Sequence, residues 1–286
     1  MNRADARTVV SLVVVGVLCA GSACRKNSAS KPATASPSSP TLIGSGSAAP
    51  IPVAATMVDA TRTAAVGSGQ RIFIMGASVS AGMGGLPFLD AFKAAAPRGE
   101  VASAASIMLF RDPKAATLKQ AAHAADFKPS IVIALDLLFW DAYGFAPQAA
   151  RRRAIADALA ALDRLHDAGA IIVVGDIPRI VTASPMMLSP EAVPPANELA
   201  ELNAELAAWA GPGKFVAPFA AWATPLATNA AVTMPDGARV MASTLMAADG
   251  LHANPRGTYY VLSLLDHWLE ARGVPADDFV FVAPAP

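Results

Sequence analysis

The sequence predicts an α/β fold, a single doubly wound domain of three layers around a central, mostly parallel five-stranded sheet. Short runs of aliphatic and β-branched residues recur through the middle of the chain, as buried parallel strands require. Longer segments between them carry apolar residues at helical spacing. The two patterns alternate, which is the signature of βαβ units rather than of an all-β or all-α chain.

The elements follow in order. Arg71 to Gly82 reads RIFIMGASVSAG, a buried-type strand over Ile72–Met75 that breaks at Gly76 into small residues. Pro87 to Ala96 carries Phe88, Leu89 and Phe92 at helical spacing and ends near Pro97. Val101–Ser106 suits a second short strand, and Asp112-Pro113 opens a helix that reaches about Phe127. Ile131–Leu135 is a continuous apolar run, the best candidate for a central strand. Gln148–Asp167 puts Ile155, Leu159, Leu162 and Leu165 on one face and stops at Gly169. Ile171–Val174 is the next buried strand, closed by Gly175-Asp176. Glu198–Trp209 is helical by Leu199, Leu202, Leu206 and Trp209, and Lys214–Phe219 is the fifth strand. Asp236-Gly237 between Val232 and Val240 reads as a hairpin turn. Asn254 caps a closing helix that runs to Arg272, with Pro255 at its first position. About 215 residues in this pattern fit one flavodoxin-like domain, over residues 70–286.

The N-terminal part differs in kind. Arg3 and Arg7 precede an apolar run from Val9 to Ala20, and Gly21, Ser22 and Ala23 lead to Cys24. This predicts a signal peptide over residues 1–23, with the run too short to cross a membrane comfortably. Residues 24–69, rich in Ser, Ala and Pro, read as a disordered tether. The only other cysteine, Cys19, lies inside the apolar run, so the domain is expected to hold no disulfide. Composition is 54% hydrophobic and 15% charged with no net charge, which provides a core but no basic field for nucleic acid.

Chemistry concentrates at two places far apart in the chain. Ser78 follows Gly76 at the carboxyl end of the first strand, where open α/β sheets bind ligands. Asp249 and His252 stand three residues apart just before the closing helix. A serine becomes a nucleophile when an imidazole accepts its proton and a carboxylate holds the other ring nitrogen. His123, His166 and His267 sit on predicted helices without such partners and read as packed or solvated. Arg151-Arg152-Arg153 reads as a solvated helix face. No cluster has metal-ligand spacing and no glycine-rich phosphate loop is present, so neither metal nor cofactor is expected.

The pattern resembles the SGNH/GDSL hydrolases over roughly residues 70–272. Their first block, Gly-Asp-Ser-Leu followed by Ser or Thr, any residue and Gly, stands here as Gly76-Ala77-Ser78-Val79-Ser80-Ala81-Gly82. Their last block, Asp-x-x-His, is matched by Asp249 and His252. The resemblance implies Ser78 as nucleophile, His252 as general base and Asp249 as its orienting carboxylate. Separately, in the N-terminal part, Cys24 after Gly-Ser-Ala resembles a bacterial lipobox; ordinary signal cleavage or an uncleaved anchor are the alternatives. The SGNH/GDSL resemblance places the second oxyanion donor near Ser106. The family's third block, Gly-x-Asn-Asp, would fall on Ala134-Leu135-Asp136-Leu137, with Asp136 in place of the oxyanion asparagine.

An ionised carboxylate about 4 Å from an oxyanion would oppose it by roughly 4 kcal/mol at an effective dielectric of 20. Losing one donor costs roughly 3–4 kcal/mol more. Three arrangements meet this difficulty: a protonated Asp136 that donates, an Asp136 that points away, or a domain that binds without turnover. Trp140 and Tyr143, after the central strand, are expected to line the pocket. The loop Pro178–Pro195, with Met186-Met187-Leu188, is expected to lie over it. The reading as a whole is an exported, membrane-anchored serine esterase of a bacterial envelope, acting on a small-molecule, glycan or lipid ester. The alternative is a catalytically impaired binding module on the same scaffold.

Overall fold

The computed structural model describes residues 70–274 and 279–284. The predicted signal peptide, Cys24 and the tether lie outside the described residues. Five strands, β1 (Arg71–Ile74), β2 (Glu100–Ser103), β3 (Ile131–Ala134), β4 (Ile171–Gly175) and β5 (Lys214–Ala217), form one sheet in the order β2-β1-β3-β4-β5. Every neighbouring pair is parallel. The strands are therefore joined by crossovers, and helices cover both faces.

The period of two in the strands decides which face each residue serves. Ile72, Ile74, Ile131, Ile133 and Leu135 enter one core, with Phe88 and Phe92 of α1 (Phe88–Ala95). Phe73, Met75, Val132 and Ala134 enter the other, with helices α2 (Pro113–Phe127), α4 (Gln148–Asp167) and α5 (Ala196–Trp209). The short α3 (Phe139–Ala142) follows β3 on that side. The first core is closed by α6 (Phe219–Thr228), by α7 (Pro255–Glu270) and by the small antiparallel hairpin β6 (Ala231–Thr233) and β7 (Arg239–Met241). Because both faces are covered, the strands need no polar side, which is why they read as unbroken apolar runs.

Caps fix the helix starts where the sequence placed them. Asp112 accepts from the Ala115 N–H at 3.0 Å, and Asn254 accepts from the Gly257 N–H at 3.0 Å. Two expectations are corrected. The segment after β5 holds a helix, α6, that the sequence pattern did not announce, because Pro225 inside it reads as a breaker. Its start is held from elsewhere: Asp176, at the end of β4, accepts from the Ala220 N–H at 2.5 Å. The arginine run is not a free solvated face either. Arg151 pairs with Glu198 at 3.1 Å, and Arg152 with Glu201 at 2.5 Å and Glu205 at 3.2 Å, tying α4 to α5.

Candidate active site

The strand order reverses between β1 and β3, so the two chains leaving these strands diverge and open a crevice at the carboxyl edge. Ser78 leaves β1 there and Asp136 leaves β3. After β1 the chain turns within one tight loop, with Ala81 N donating to Ala77 O, Gly82 N to Val79 O and Met83 N to Ser78 O. Gly76 makes the turn possible. A Cβ there would sit 2.2 Å from Asp136 Oδ1 and 2.5 Å from Ser80 Oγ.

The residues near the other end of the domain come to the same point. Ser78 Oγ lies 2.8 Å from His252 Nε2, across 174 positions of sequence. His252 Nδ1 lies 2.7 Å from Asp249 Oδ2. The other carboxylate oxygen, Oδ1, accepts from the Leu251 and His252 N–H groups, both at 2.9 Å, so the Asp249 turn is closed on itself. Burial opposes ionisation of Asp249. The hydrogen bonds from the His252 N–H, the His252 ring and the Leu251 N–H outweigh it and hold the carboxyl below its usual range. An ionised Asp249 requires the Nδ1–H tautomer of His252, which leaves Nε2 as an acceptor facing the serine hydroxyl. His252 is 1% exposed and Ser78 9%. The chemical capacity of this arrangement is proton abstraction from a hydroxyl at the edge of a pocket.

Asp136 is turned back into the nucleophile loop. Its Oδ1 accepts from the Ala77 N–H at 3.0 Å and the Ser80 hydroxyl at 2.6 Å. Its Oδ2 accepts from the N–H groups of Val79 at 2.8 Å and Ser80 at 3.2 Å. Burial pushes this carboxyl up, and the four donors pull it back only in part. Of the consecutive amides 77 to 80, three are bound by one side chain, and only that of Ser78 makes no hydrogen bond among the described residues.

The crevice continues as a pocket walled by Ser78, His252 and Asp136 at one end and mainly by apolar side chains beyond them. Pro178, Ile180 and Thr182 form one rim. Thr182 Oγ1 donates to Gly250 O at 3.0 Å and Ser184 N to Asp249 O at 2.7 Å, which fasten that rim to the Asp249 turn. Among the described residues no group of His, Cys, Asp and Glu is arranged to hold a metal ion.

No protein-family model matches the chain, and no curated protein matches it. Solved structures do. TesA is 17% identical, matched over 71% of this chain and 99% of its own, with a TM-score of 0.45. A GDSL-like lipase from Bacteroides thetaiotaomicron is 14% identical over 74% and 95%, at 0.43. The psychrotrophic esterase EstA from Pseudoalteromonas sp., inhibited by monoethylphosphonate, is 17% identical over 70% and 99%, at 0.42. All three are under 25% identical with TM-scores below 0.5, so the likeness assigns neither a family nor a chemistry to this chain.

Several predicted site residues stand elsewhere than expected. Ser106 offers no free backbone donor, since its N–H goes to Gly76 O at 3.0 Å; its hydroxyl accepts from the Met108 N–H at 3.2 Å, and the residue does not line the pocket. Asp136 borders the pocket, but its carboxylate is spent on the loop. Phe139 lines the pocket, whereas Trp140 packs beside Phe110 and Phe139, with ring centroids 5.8 and 5.1 Å away. Tyr143 is buried behind the rim. Its hydroxyl donates to Pro178 O at 2.7 Å and accepts from the Ile180 N–H at 2.8 Å, and burial pushes its pKa up to about 12. The Met186 segment does not lie over the pocket: Met186 is 93% exposed and Leu188 is buried in the opposite core.

One residue escaped sequence reasoning altogether. Gln120 of α2, 3% exposed, accepts from the Gly76 N–H at 2.7 Å and donates to Gly76 O at 3.0 Å. A lone glutamine on a helix of weak amphipathicity carries no local signal for that role.

Proposed function

We propose that this chain is an exported serine hydrolase of the SGNH/GDSL type that cleaves esters through an acyl-enzyme. The observation that carries the reading is the continuous chain of contacts from Ser78 Oγ to His252 Nε2 and from His252 Nδ1 to Asp249 Oδ2, at 2.8 and 2.7 Å. In this reading Ser78 attacks the ester carbonyl while His252 takes its proton. His252, charged and held by Asp249, then protonates the leaving alcohol oxygen, and water resolves the acyl-enzyme by the reverse route. The Ser78 N–H, which makes no hydrogen bond among the described residues, would donate to the oxyanion that forms from the carbonyl oxygen. Asp136 spends both carboxylate oxygens on the Ala77, Val79 and Ser80 amides and the Ser80 hydroxyl, and leaves the Ser78 amide unbound. The N-terminal signal and the Cys24 anchor belong to the same proposal, which places the domain at a bacterial envelope.

A second reading has one observation in its favour. No asparagine or glutamine side chain lines the pocket among the described residues, so a side-chain amide for the oxyanion is lacking. A binding module on this scaffold needs none. An alkyl fluorophosphonate separates the two. The hydrolase is labelled, and Ser78→Ala abolishes the label. Absence of labelling in correctly folded protein overturns the hydrolase and leaves the binding module.

A further inference from the structure

Among the helices and strands, α6 contributes the most residues to the wall of the pocket. Phe219, Ala223 and Ala227 follow one another at i, i+4 spacing on α6, with Leu226 beside them, and all four line the pocket. Phe88 of α1 and Val261 of α7 face them. Phe88, Phe219, Ala223 and Val261 are each at most 9% exposed, and Leu226 and Ala227 are half-buried. Its only ionisable lining residues are Asp136 and His252, at the catalytic end. The Thr258 hydroxyl, also in the lining, already accepts from the Leu86 N–H at 3.3 Å. Ala223 and Ala227 are the small side chains on that face of α6.

From this lining we propose that the pocket receives an unbranched aliphatic chain of the ester held at Ser78, making α6 the element that reads chain length. The inference rests on the hydrolase reading of Ser78 and His252 and adds the substrate class to it. A sugar ring in this cavity would bring several hydroxyls and find almost no partner for them, and each buried unpaired hydroxyl opposes binding. A methylene chain loses nothing there. Each buried methylene is favourable enough to raise an equilibrium or a kcat/KM by up to about fourfold. The chain can belong to the acid or to the alcohol part of the ester, since both flank the carbonyl.

The test uses two substrate series on the full domain, p-nitrophenyl esters from acetate to decanoate and n-alkyl acetates from ethyl to decyl. One series is expected to show kcat/KM rising about two- to fourfold for each methylene until the lumen is filled. A rise in the first assigns the acyl chain to the pocket, and a rise in the second assigns the alkyl chain. Ala223→Leu and Ala227→Leu are expected to move the optimum to shorter chains. Hydrolysis with no dependence on length in either series, or an optimum unmoved by both variants, overturns the inference while the hydrolase stands. Should the protein neither hydrolyse nor take the fluorophosphonate, the hydrolase reading fails and binding alone judges the pocket. In that case 1-octanol raising the Tm of Ser78→Ala, but not of Ser78→Ala with Ala223→Leu, upholds the apolar site. No rise in either overturns it.

Discussion

Replacing Asp136 probes the support of the nucleophile directly. Two acceptor oxygens serve three amides and one hydroxyl, at 2.6 to 3.2 Å, and the side chain is 4% exposed. In Asp136→Asn the remaining oxygen can take the place of Oδ2 and keep the Val79 and Ser80 amides. The new NH2 then takes the place of Oδ1. It can donate to Ser80 Oγ, but it meets the Ala77 N–H as donor against donor. The reverse placement strands two amides instead of one, so the first is favoured. One buried unsatisfied N–H costs about 1–3 kcal/mol, and that is the loss of stability expected for Asp136→Asn. Asp136→Ala strands all three amides and should lose at least about 3 kcal/mol. Urea unfolding followed by tryptophan fluorescence measures both, with the fluorophosphonate labelling rate as a readout of Ser78 placement. Labelling is expected to slow in both variants under conditions where they are fully folded. An Asp136→Asn variant within 0.5 kcal/mol of the parent, estimated against the usual scatter of surface substitutions, together with unchanged labelling, would refute the claim that this carboxylate builds the loop.

The remaining expectations are briefer. Asp249→Asn can keep the Leu251 and His252 amides on its oxygen, but its NH2 then faces His252 Nδ1 and selects the wrong tautomer. Esterase kcat should fall by roughly 10³–10⁴ with little change in Tm; an unchanged kcat contradicts the assigned role. Gln120→Met strands the Gly76 N–H and should cost about 1–3 kcal/mol, whereas Gly76 O keeps the Ser106 N–H, and urea unfolding reads the difference. Asp141 is 5% exposed with Oδ2 unpartnered, and burial, then the charge of Asp157, push its carboxyl up to about 7. The native state therefore keeps a proton that the unfolded chain releases near 3.8, so this group lowers stability as pH rises from about 4 to about 7 and levels above. Asp136, also raised, contributes a slope of the same sign, so the informative quantity is the difference between parent and Asp141→Asn. That difference should grow from near zero at pH 4 to at most about 4 kcal/mol at pH 8, and a constant difference across this range would contradict it.

The fold was legible because its strands and most of its helices are specified locally. Ile131–Ala134 and Ile171–Gly175 are apolar on both faces, and a strand flanked by helices on both sides needs no other signal. Asp112-Pro113 and Asn254-Pro255 place cap and first turn next to each other in sequence. The helix α6 was illegible for the complementary reason. Its capping acceptor, Asp176, is 44 residues away, and its own sequence carries a proline in the interior. The arginine run failed likewise, since its partners Glu198, Glu201 and Glu205 belong to another helix and are spaced to match it only once α4 and α5 pack.

At the site, the sequence yielded the groups that would carry protons and misplaced those that shape the surroundings. Ser78, Asp249 and His252 stand in short blocks whose residue types have few other uses together. Asp136 and Gln120 act on a backbone that lies 56 to 59 and 44 positions away, and no spacing rule reaches that far. Ala77, beside Ser78, has a side chain without polar atoms, and the carboxylate under the loop comes from the end of β3. An Ala77→Asp change places a second carboxylate beside a buried one already bound to the Ala77 amide. Repulsion at about 4–6 Å would raise one of the two pKa values further. Ala77→Asp should therefore lose stability in the parent and lose less in Asp136→Asn, a coupling that a double-mutant cycle in urea measures. Additive losses would show that the two positions do not share this task.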